Sequence, residues 1–239
     1  MSQPSRTVVW FSAGAASAVA TKLALADGPC VIAYTNPGSE HPDNERFISD
    51  CEHWFNQEVL RLSSERYKTT WEVWEGERYL LGHEGAPCTR ELKRKVRFHF
   101  ERPTDRQVFG YTVEEASRVT RFREQNPGID LWCPLIDANL SHSDCLAIVQ
   151  RAGLELPAMT RLGYDHANCV GCVKGGMGYW NKIRQDFPEV FTRMGRLERE
   201  IGYHLFDCWL DELEPTRGNY TTEPTIECSL MCALVEQTL

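Results

Sequence analysis

Two thiols three positions apart, Cys169 and Cys172 in Asn168-Cys169-Val170-Gly171-Cys172, are the pair in this chain best spaced to chelate. A turn of that length lets both thiolates reach one zinc ion or two irons of a cluster, and the same spacing also suits a dithiol redox pair. Cys88, in Gly85-Ala86-Pro87-Cys88-Thr89, is a third candidate ligand, and with it a metal is favoured over plain packing. There is no second C-x-x-C, so a closed zinc ribbon is not expected; Cys208, His166 or an exogenous group would have to be the fourth ligand. In the tail, Glu227-Cys228-Ser229-Leu230-Met231-Cys232 places a cysteine beside a carboxylate where there is little reason for a core strand. Cys228 is a candidate nucleophile, the alternative being that Cys228 and Cys232 pack the tail against the domain.

A second kind of chemistry sits near the other end. The apolar run from Thr7 breaks at Ser12-Ala13-Gly14-Ala15-Ala16-Ser17 into small residues and then turns amphipathic. Small side chains leave backbone N–H groups uncovered, and a helix starting at about Ser17 would aim its positive end at the same spot. This outlines an anion site; the alternative is a tight turn that lets strand and helix pack closely. The stretch Arg90 to Arg97 carries five basic residues in eight and is either a solvated helix face or a partner for phosphates.

The elements that must position these residues alternate between strand and helix. After the first strand and its helix, Val31 to Tyr34 reads as a buried strand, and Asp43 can cap a helix with Phe47, Cys51, Trp54 and Phe55 on its apolar face. Tyr67 to Trp74 reads as a third strand, Arg106 to Thr112 as a fourth followed by a helix from Val113 to Glu124, and Leu131 to Ile136 as a fifth followed by a helix from Asp144 to Ala152. The alternation predicts an α/β fold, a mainly parallel twisted sheet with helices on both faces. Residues 1–161 would form this ligand-binding α/β domain. Residues 162–239 would form a cysteine-bearing helical region packed on it, with a long or broken helix from Tyr179 to Ile201 restarting at Pro188. Ligands of open parallel sheets bind beyond the carboxyl ends of the strands, which is where Ser12 to Ser17, Asn36 to Asp43 and Glu114 to Arg118 would lie.

Composition sets the outer limits. With 239 residues, 42% hydrophobic and 25% charged, the chain is globular, and its net charge of −8 speaks against a generally basic nucleic-acid coat. No apolar stretch approaches the roughly 20 residues that span a bilayer, and Met1 to Arg6 lacks a signal-like apolar centre, so a cytoplasmic protein with no membrane contact is expected. In that compartment the ten cysteines are core residues, ligands or catalysts, not disulfides. Cys30, Cys51, Cys133 and Cys145 lie in apolar surroundings and read as structural.

Five segments in this order resemble the phosphoadenosine phosphosulfate (PAPS) reductase family, a branch of the adenine-nucleotide PP-loop enzymes. FSAGAASAV resembles the family's phosphate loop, and YTNPGSEHPDNERF its T-x-x-x-x-x-P-E-T-x-x-F stretch. CTRELK is similar to the cysteine-plus-basic segment of the iron-sulfur adenosine phosphosulfate reductases, LPAMTRLGYDHANCVGC to their L-x-x-x-G-Y-x-S-I-G-C-x-x-C, and ECSL to a degenerate form of their E-C-G-L-H. The resemblance implies an adenine nucleotide held by Ser12, Ala13, Gly14, Ala15, Ala16 and Ser17 with Arg90, Lys93 and Arg118 supplying charge. It implies a 4Fe-4S cluster on Cys88, Cys169 and Cys172, with zinc as the alternative, and Cys228 as the nucleophile regenerated by a thioredoxin-like dithiol. The expected reaction is reduction of an adenylylated sulfate.

The departures from the family pattern keep two other readings open. Ala16 stands where ATP-cleaving PP-loop enzymes have an acid in S-G-G-x-D-S, which favours the reductase branch. Cys88-Thr89 replaces adjacent cysteines, and Ser229 and Met231 replace the glycine and histidine beside the nucleophile. Those changes suit ATP-dependent sulfur transfer to a nucleic-acid base or another acceptor. A binding-only nucleotide sensor has no use for Cys88, Cys169, Cys172 and Cys228. Self-association into a homo-oligomer is compatible with either enzyme.

Overall fold

The computed structural model describes residues 6–83, 85–224 and 226, so Cys228 and Cys232 lie outside the described residues. In chain order the elements are β1 (Thr7–Phe11), α1 (Ala15–Asp27), β2 (Cys30–Thr35), α2 (Asp43–Phe55), β3 (Leu60–Leu62) and α3 (Thr70–Glu77). A π-helix at Thr89–Arg94 leads into α4 (Lys95–Phe100), followed by β4 (Arg106–Phe109), α5 (Ala116–Gln125), β5 (Leu131–Trp132), α6 (Pro134–Asp137), α7 (His142–Arg151) and α8 (Ala158–Arg161). Last come α9 (Met177–Asp186) and α10 (Pro188–Ile201), with single 3-10 turns at Leu210–Glu212 and Tyr220–Thr222. No helix among the described residues is long and apolar enough to cross a membrane.

The chain divides into two compact units of discontinuous sequence. The first, Met1–Asn36, His41–Ser63 and Val96–Ala167, contains all five strands. Their order is β3-β2-β1-β4-β5 and every pairing is parallel, with Thr7 opposite both Cys30 and Arg106. The fold is therefore the expected α/β type, a Rossmann-like parallel sheet flanked by helices. β1 and β2 are built from β-branched and aromatic residues whose inner positions are buried, as central parallel strands require. α1 is rich in alanine, which favours the helix and lets it sit close: Ala15, Ala18 and Val19 share a core with Ile32, Phe47, Cys51, Leu135 and Cys145. Burial raises the thiols of Cys51, Cys133 and Cys145, the last two to about 12 and about 11, so these cysteines act as small apolar residues. Cys30 is half-buried and its thiol is raised by the same cause.

Two elements differ from the sequence reading. Tyr67 to Trp74 is not a strand: the Thr69 hydroxyl accepts a hydrogen bond from the Glu72 N–H at 3.1 Å and so caps α3, while the Glu72 carboxylate accepts from the Lys68 N–H, just before the cap, at 2.7 Å. The actual β3 is only three residues long, at the sheet edge, with Leu60 exposed. β5 stops at Trp132 because Pro134 opens a helix where its missing N–H costs nothing.

The second unit, Pro37–Glu40, Ser64–Lys95 and Asn168–Leu239, holds α3, the π-helix, α9 and α10. Trp180, Ile183, Met194 and Leu197 of the last two helices are buried. The long helical stretch breaks at Phe187 and restarts at Pro188 as the sequence suggests.

Candidate functional site

In the first unit the chain leaves β1 through Ser12 and turns at Ala13, which takes a left-handed conformation (φ +54°) while fully buried. For a residue with a Cβ this costs roughly 1–2 kcal/mol, and such strain concentrates at ligand-binding turns. Gly14 is the N-cap, so α1 begins at Ala15, two residues earlier than the sequence suggests. Helix geometry leaves the first-turn amides of Ala15 and Ala16 without intrahelical acceptors, and the turn contains no acidic residue.

The Ser17 hydroxyl is the hub that shapes this loop. It accepts from the Ser12 N–H at 3.1 Å and from the Ser12 hydroxyl at 3.1 Å, and donates to the Gly14 carbonyl at 2.9 Å. Ser17 is buried and Ser12 exposed, so Ser17 fixes the loop while Ser12 faces outward. Gly110, just after β4, completes the setting: a Cβ there would lie 2.7 Å from Ser17 Cα and 2.8 Å from its nitrogen. Only glycine lets the end of β4 approach the first turn of α1. Beyond it, the Arg118 guanidinium lies 5.1 Å from the Tyr111 ring centre and pairs with Glu115 at 3.3 Å.

In the second unit three short segments meet. Ser39 accepts from the Val170 N–H at 2.9 Å, and Glu40 bridges Cys169 as a single antiparallel pair. Glu40 in turn lies 3.9 Å from Lys93 Nζ, both side chains largely buried, which ties the π-helix beginning after Cys88 to the C-x-x-C turn. The turn itself is organised by Tyr179: its hydroxyl accepts from the N–H groups of Gly171 and Cys172, each at 3.0 Å, and donates to the Cys169 carbonyl at 3.3 Å. Burial, reinforced by Cys172 and Cys169 nearby, pushes the Tyr179 hydroxyl well above its usual range, so it stays protonated. Cys88, Cys169 and Cys172 are all buried. Among the described residues no three or more His, Cys, Asp and Glu side chains are grouped as a metal site. The three thiols belong to one unit.

No protein-family model and no curated protein sequence matches the chain. Ser12 to Ser17 and Arg118 lie in the first unit, and Arg90, Lys93, Cys88, Cys169 and Cys172 in the second. The basic run carries its own counter-charges: Arg90 pairs with Glu77 at 3.1 Å and Glu91 at 2.8 Å, Lys95 with Glu91 at 2.8 Å, and Arg97 with Glu101 at 2.9 Å. Burial would raise the Glu91 carboxyl, but Lys95 and Arg90 hold it below the ordinary range. Of the other ligand candidates, Cys208 is half-buried with Arg217 3.7 Å from its sulfur, and His166 rests edge-on against His142. Cys228 lies outside the described residues.

Gly110, Tyr179 and Glu40 were not singled out from sequence. Gly110 left a faint signal as a glycine closing an apolar strand; Glu40 left none, since its partners Lys93 and Cys169 are far along the chain, and Tyr179 left none, since its hydroxyl acts on backbone groups of a neighbouring turn.

Proposed function

We propose that the Ser12 to Ser17 loop receives the phosphate or sulfate end of an adenine nucleotide, and that the protein is a PAPS reductase-like enzyme acting on an adenylylated sulfate. The observation that carries this reading is the buried left-handed Ala13, which sets the Gly14 turn and the acid-free N-terminus of α1 at the carboxyl end of β1. Amides held in that way stabilise negative charge without reorganisation as it develops on a leaving phosphate. Exposed Ser12 would turn its hydroxyl from Ser17 to the same group, and Arg118, held beside Tyr111, would supply charge.

In the proposed reaction a cysteine thiolate, Cys228 in our reading, attacks the sulfur of the phosphosulfate. The S–S bond forms as the bond from sulfur to the bridging oxygen breaks, and the nucleotide phosphate leaves with that electron pair. A thioredoxin-like dithiol then attacks the cysteine sulfur, releases sulfite, and is oxidised to a disulfide as the thiol is restored. Cys88, Cys169 and Cys172 would hold an iron-sulfur centre, 4Fe-4S by resemblance; zinc is the competing occupant. Support for this part is the burial of all three thiols in one unit, with the Cys88 and Cys169 segments joined through Lys93 and Glu40. The sulfur transfer described here uses the thiolate alone.

The test is incubation of anaerobically purified protein with adenosine phosphosulfate, its 3′-phosphorylated form or ATP, with a dithiol reductant, while sulfite and pyrophosphate are followed. Sulfite that disappears in Cys228→Ser supports the proposal. Acceptor-dependent pyrophosphate release from ATP, with Cys228→Ser fully active, overturns it in favour of sulfur transfer to a nucleic-acid base or other acceptor. Tight nucleotide binding without turnover, unaffected by loss of the thiols, overturns it in favour of a sensor. Metal analysis and a visible spectrum decide the centre: colourless, zinc-loaded protein ends the cluster reading.

A further inference from the structure

The chain beyond α10 is held to its unit by side chains that reach it from a distance. Fully buried Glu198 accepts from the N–H groups of Leu205 at 2.8 Å and Leu210 at 2.6 Å. Asn181 Nδ2 donates to the carbonyls of Glu214 at 3.0 Å and Arg217 at 2.7 Å. Glu223 then closes onto the N-terminus of α9: Oε1 accepts from the Gly178 N–H at 2.5 Å and Oε2 from the Tyr179 N–H at 2.9 Å. Three residues later, Asn168 Nδ2 donates to the Ile226 carbonyl at 3.3 Å, immediately before Cys169.

The helix terminus is built to take that carboxylate and no local one. Its N-cap is Gly176, which has no capping side chain, and its first turn holds no acid. A Cβ on Gly176 would lie 2.5 Å from the Glu223 carboxyl carbon, and one on Gly178 or Gly218 would run into the facing backbone. Three glycines thus clear the space for a cap supplied from 45 residues away. The same first turn carries Tyr179, whose hydroxyl organises the C-x-x-C backbone. Glu223 therefore clamps the carboxyl-terminal strap to the residue that shapes the cysteine turn. Thr221 and Thr222 beside it are exposed, as expected of a segment that opens locally without global unfolding.

We infer that residues 218–224, with Ile226 docked at Asn168, form a latched strap controlling access to Cys169 and Cys172, with Glu223 as the latch. When Glu223 holds α9, the strap end is docked at Asn168 and the two thiols stay shielded. When it lets go, the strap lifts and reagents reach them. The inference concerns thiol access and stands apart from the nucleotide reading.

The test uses full-length, reduced, metal-free protein and iodoacetamide, with each cysteine's labelling rate read by mass spectrometry. In Glu223→Gln one oxygen is replaced by an amide that faces an N–H instead of accepting from it. Labelling of Cys169 and Cys172 should rise roughly tenfold, the loss of one charge-assisted bond, while Cys51, Cys133 and Cys145 keep their rates. Unchanged rates at Cys169 and Cys172 overturn the latch, and so does a rise shared by all five cysteines, because that reports general loosening. The unaltered protein gives a second reading at low urea concentrations. Labelling of Cys169 and Cys172 should depend weakly on urea and that of Cys51 steeply; equal dependences mean that no local strap opening exists.

Discussion

Helices α1 and α9 both open on glycine, Gly14 and Gly176, and neither has an acid in its first turn. Their termini are used in opposite ways. At α9 the chain supplies its own anion, Glu223, and the positive end of the helix is spent on structure. At α1 the side chains that bond within the loop, among the described residues, are the neutral hydroxyls of Ser12 and Ser17, and the strain at Ala13 is kept there without an acid in the first turn. Two other helices show what ordinary starts look like here. α2 begins with its own carboxylate, Asp43, and α3 is capped by the Thr69 hydroxyl. A helix start that lacks both a side-chain cap and an acid, and that is strained as well, is the one suited to an external anion.

The sharpest way to break this contrast is to give α1 the acid that it lacks. Ser12→Asp places a carboxylate at an exposed position beside the loop. If the terminus is an anion receptor, affinity for adenosine phosphosulfate or ATP in a calorimetric titration should fall by about 100-fold, since like charges brought together cost several kcal/mol. Stability should hold or rise by about 0.3–1 kcal/mol, because an acid suits a helix start. Unchanged nucleotide binding would place the nucleotide, if one binds, elsewhere. Next in size is Gly110→Ala, which pushes a methyl into the Ser17 backbone at 2.7 Å and should cost about 1–3 kcal/mol in urea unfolding while weakening the same nucleotide binding.

Asp43 tests the structural use of an anion. Its carboxyl is held at about 2, against an ordinary 3.8, first by the hydrogen bond from Arg46 and then by the Ala158 N–H and the charges of Arg46 and Arg161. Because the folded value is the lower one, the contribution is fully present above about pH 4 and is lost as the pH falls toward 2. Asp43→Asn should therefore lower stability by about 2 kcal/mol at neutral pH, with the difference from the parent protein shrinking across that acid window. Urea midpoints measured from pH 2 to pH 7 check it; a pH-independent deficit would mean that charge is not the cause.

How far the sequence reached depends on the range of the interactions involved. β1, β2 and the break at Pro188 were legible because short apolar runs and a proline act locally. The small-residue loop was legible for the same reason, although not the Gly110 contact that shapes it from nearly a hundred residues away. The charge run from Arg90 to Arg97 read as either a solvated helix face or a partner for phosphates, and the sequence did not show that Glu77 and Glu40 pair with it. The C-x-x-C was plain, whereas Tyr179 and Glu223, which organise and latch its surroundings, sit in a helical run and a polar tail that resemble any others.

The smallest prediction concerns the misread stretch Tyr67 to Trp74. Its aromatic and β-branched residues are those a strand prefers, and the Thr69 cap, with Glu72 holding the Lys68 N–H before it, favours a helix. Thr69→Val keeps the shape and the β-preference and removes the acceptor. A strand would tolerate the change or gain from it, whereas α3 should lose about 1 kcal/mol, the usual worth of an N-cap hydroxyl. Thr69→Ser, which restores the oxygen, should recover most of that loss. If valine proves neutral, the start of α3 does not depend on its hydroxyl, and a neutral cap can no longer serve as the ordinary case against which the uncapped terminus of α1 stands out.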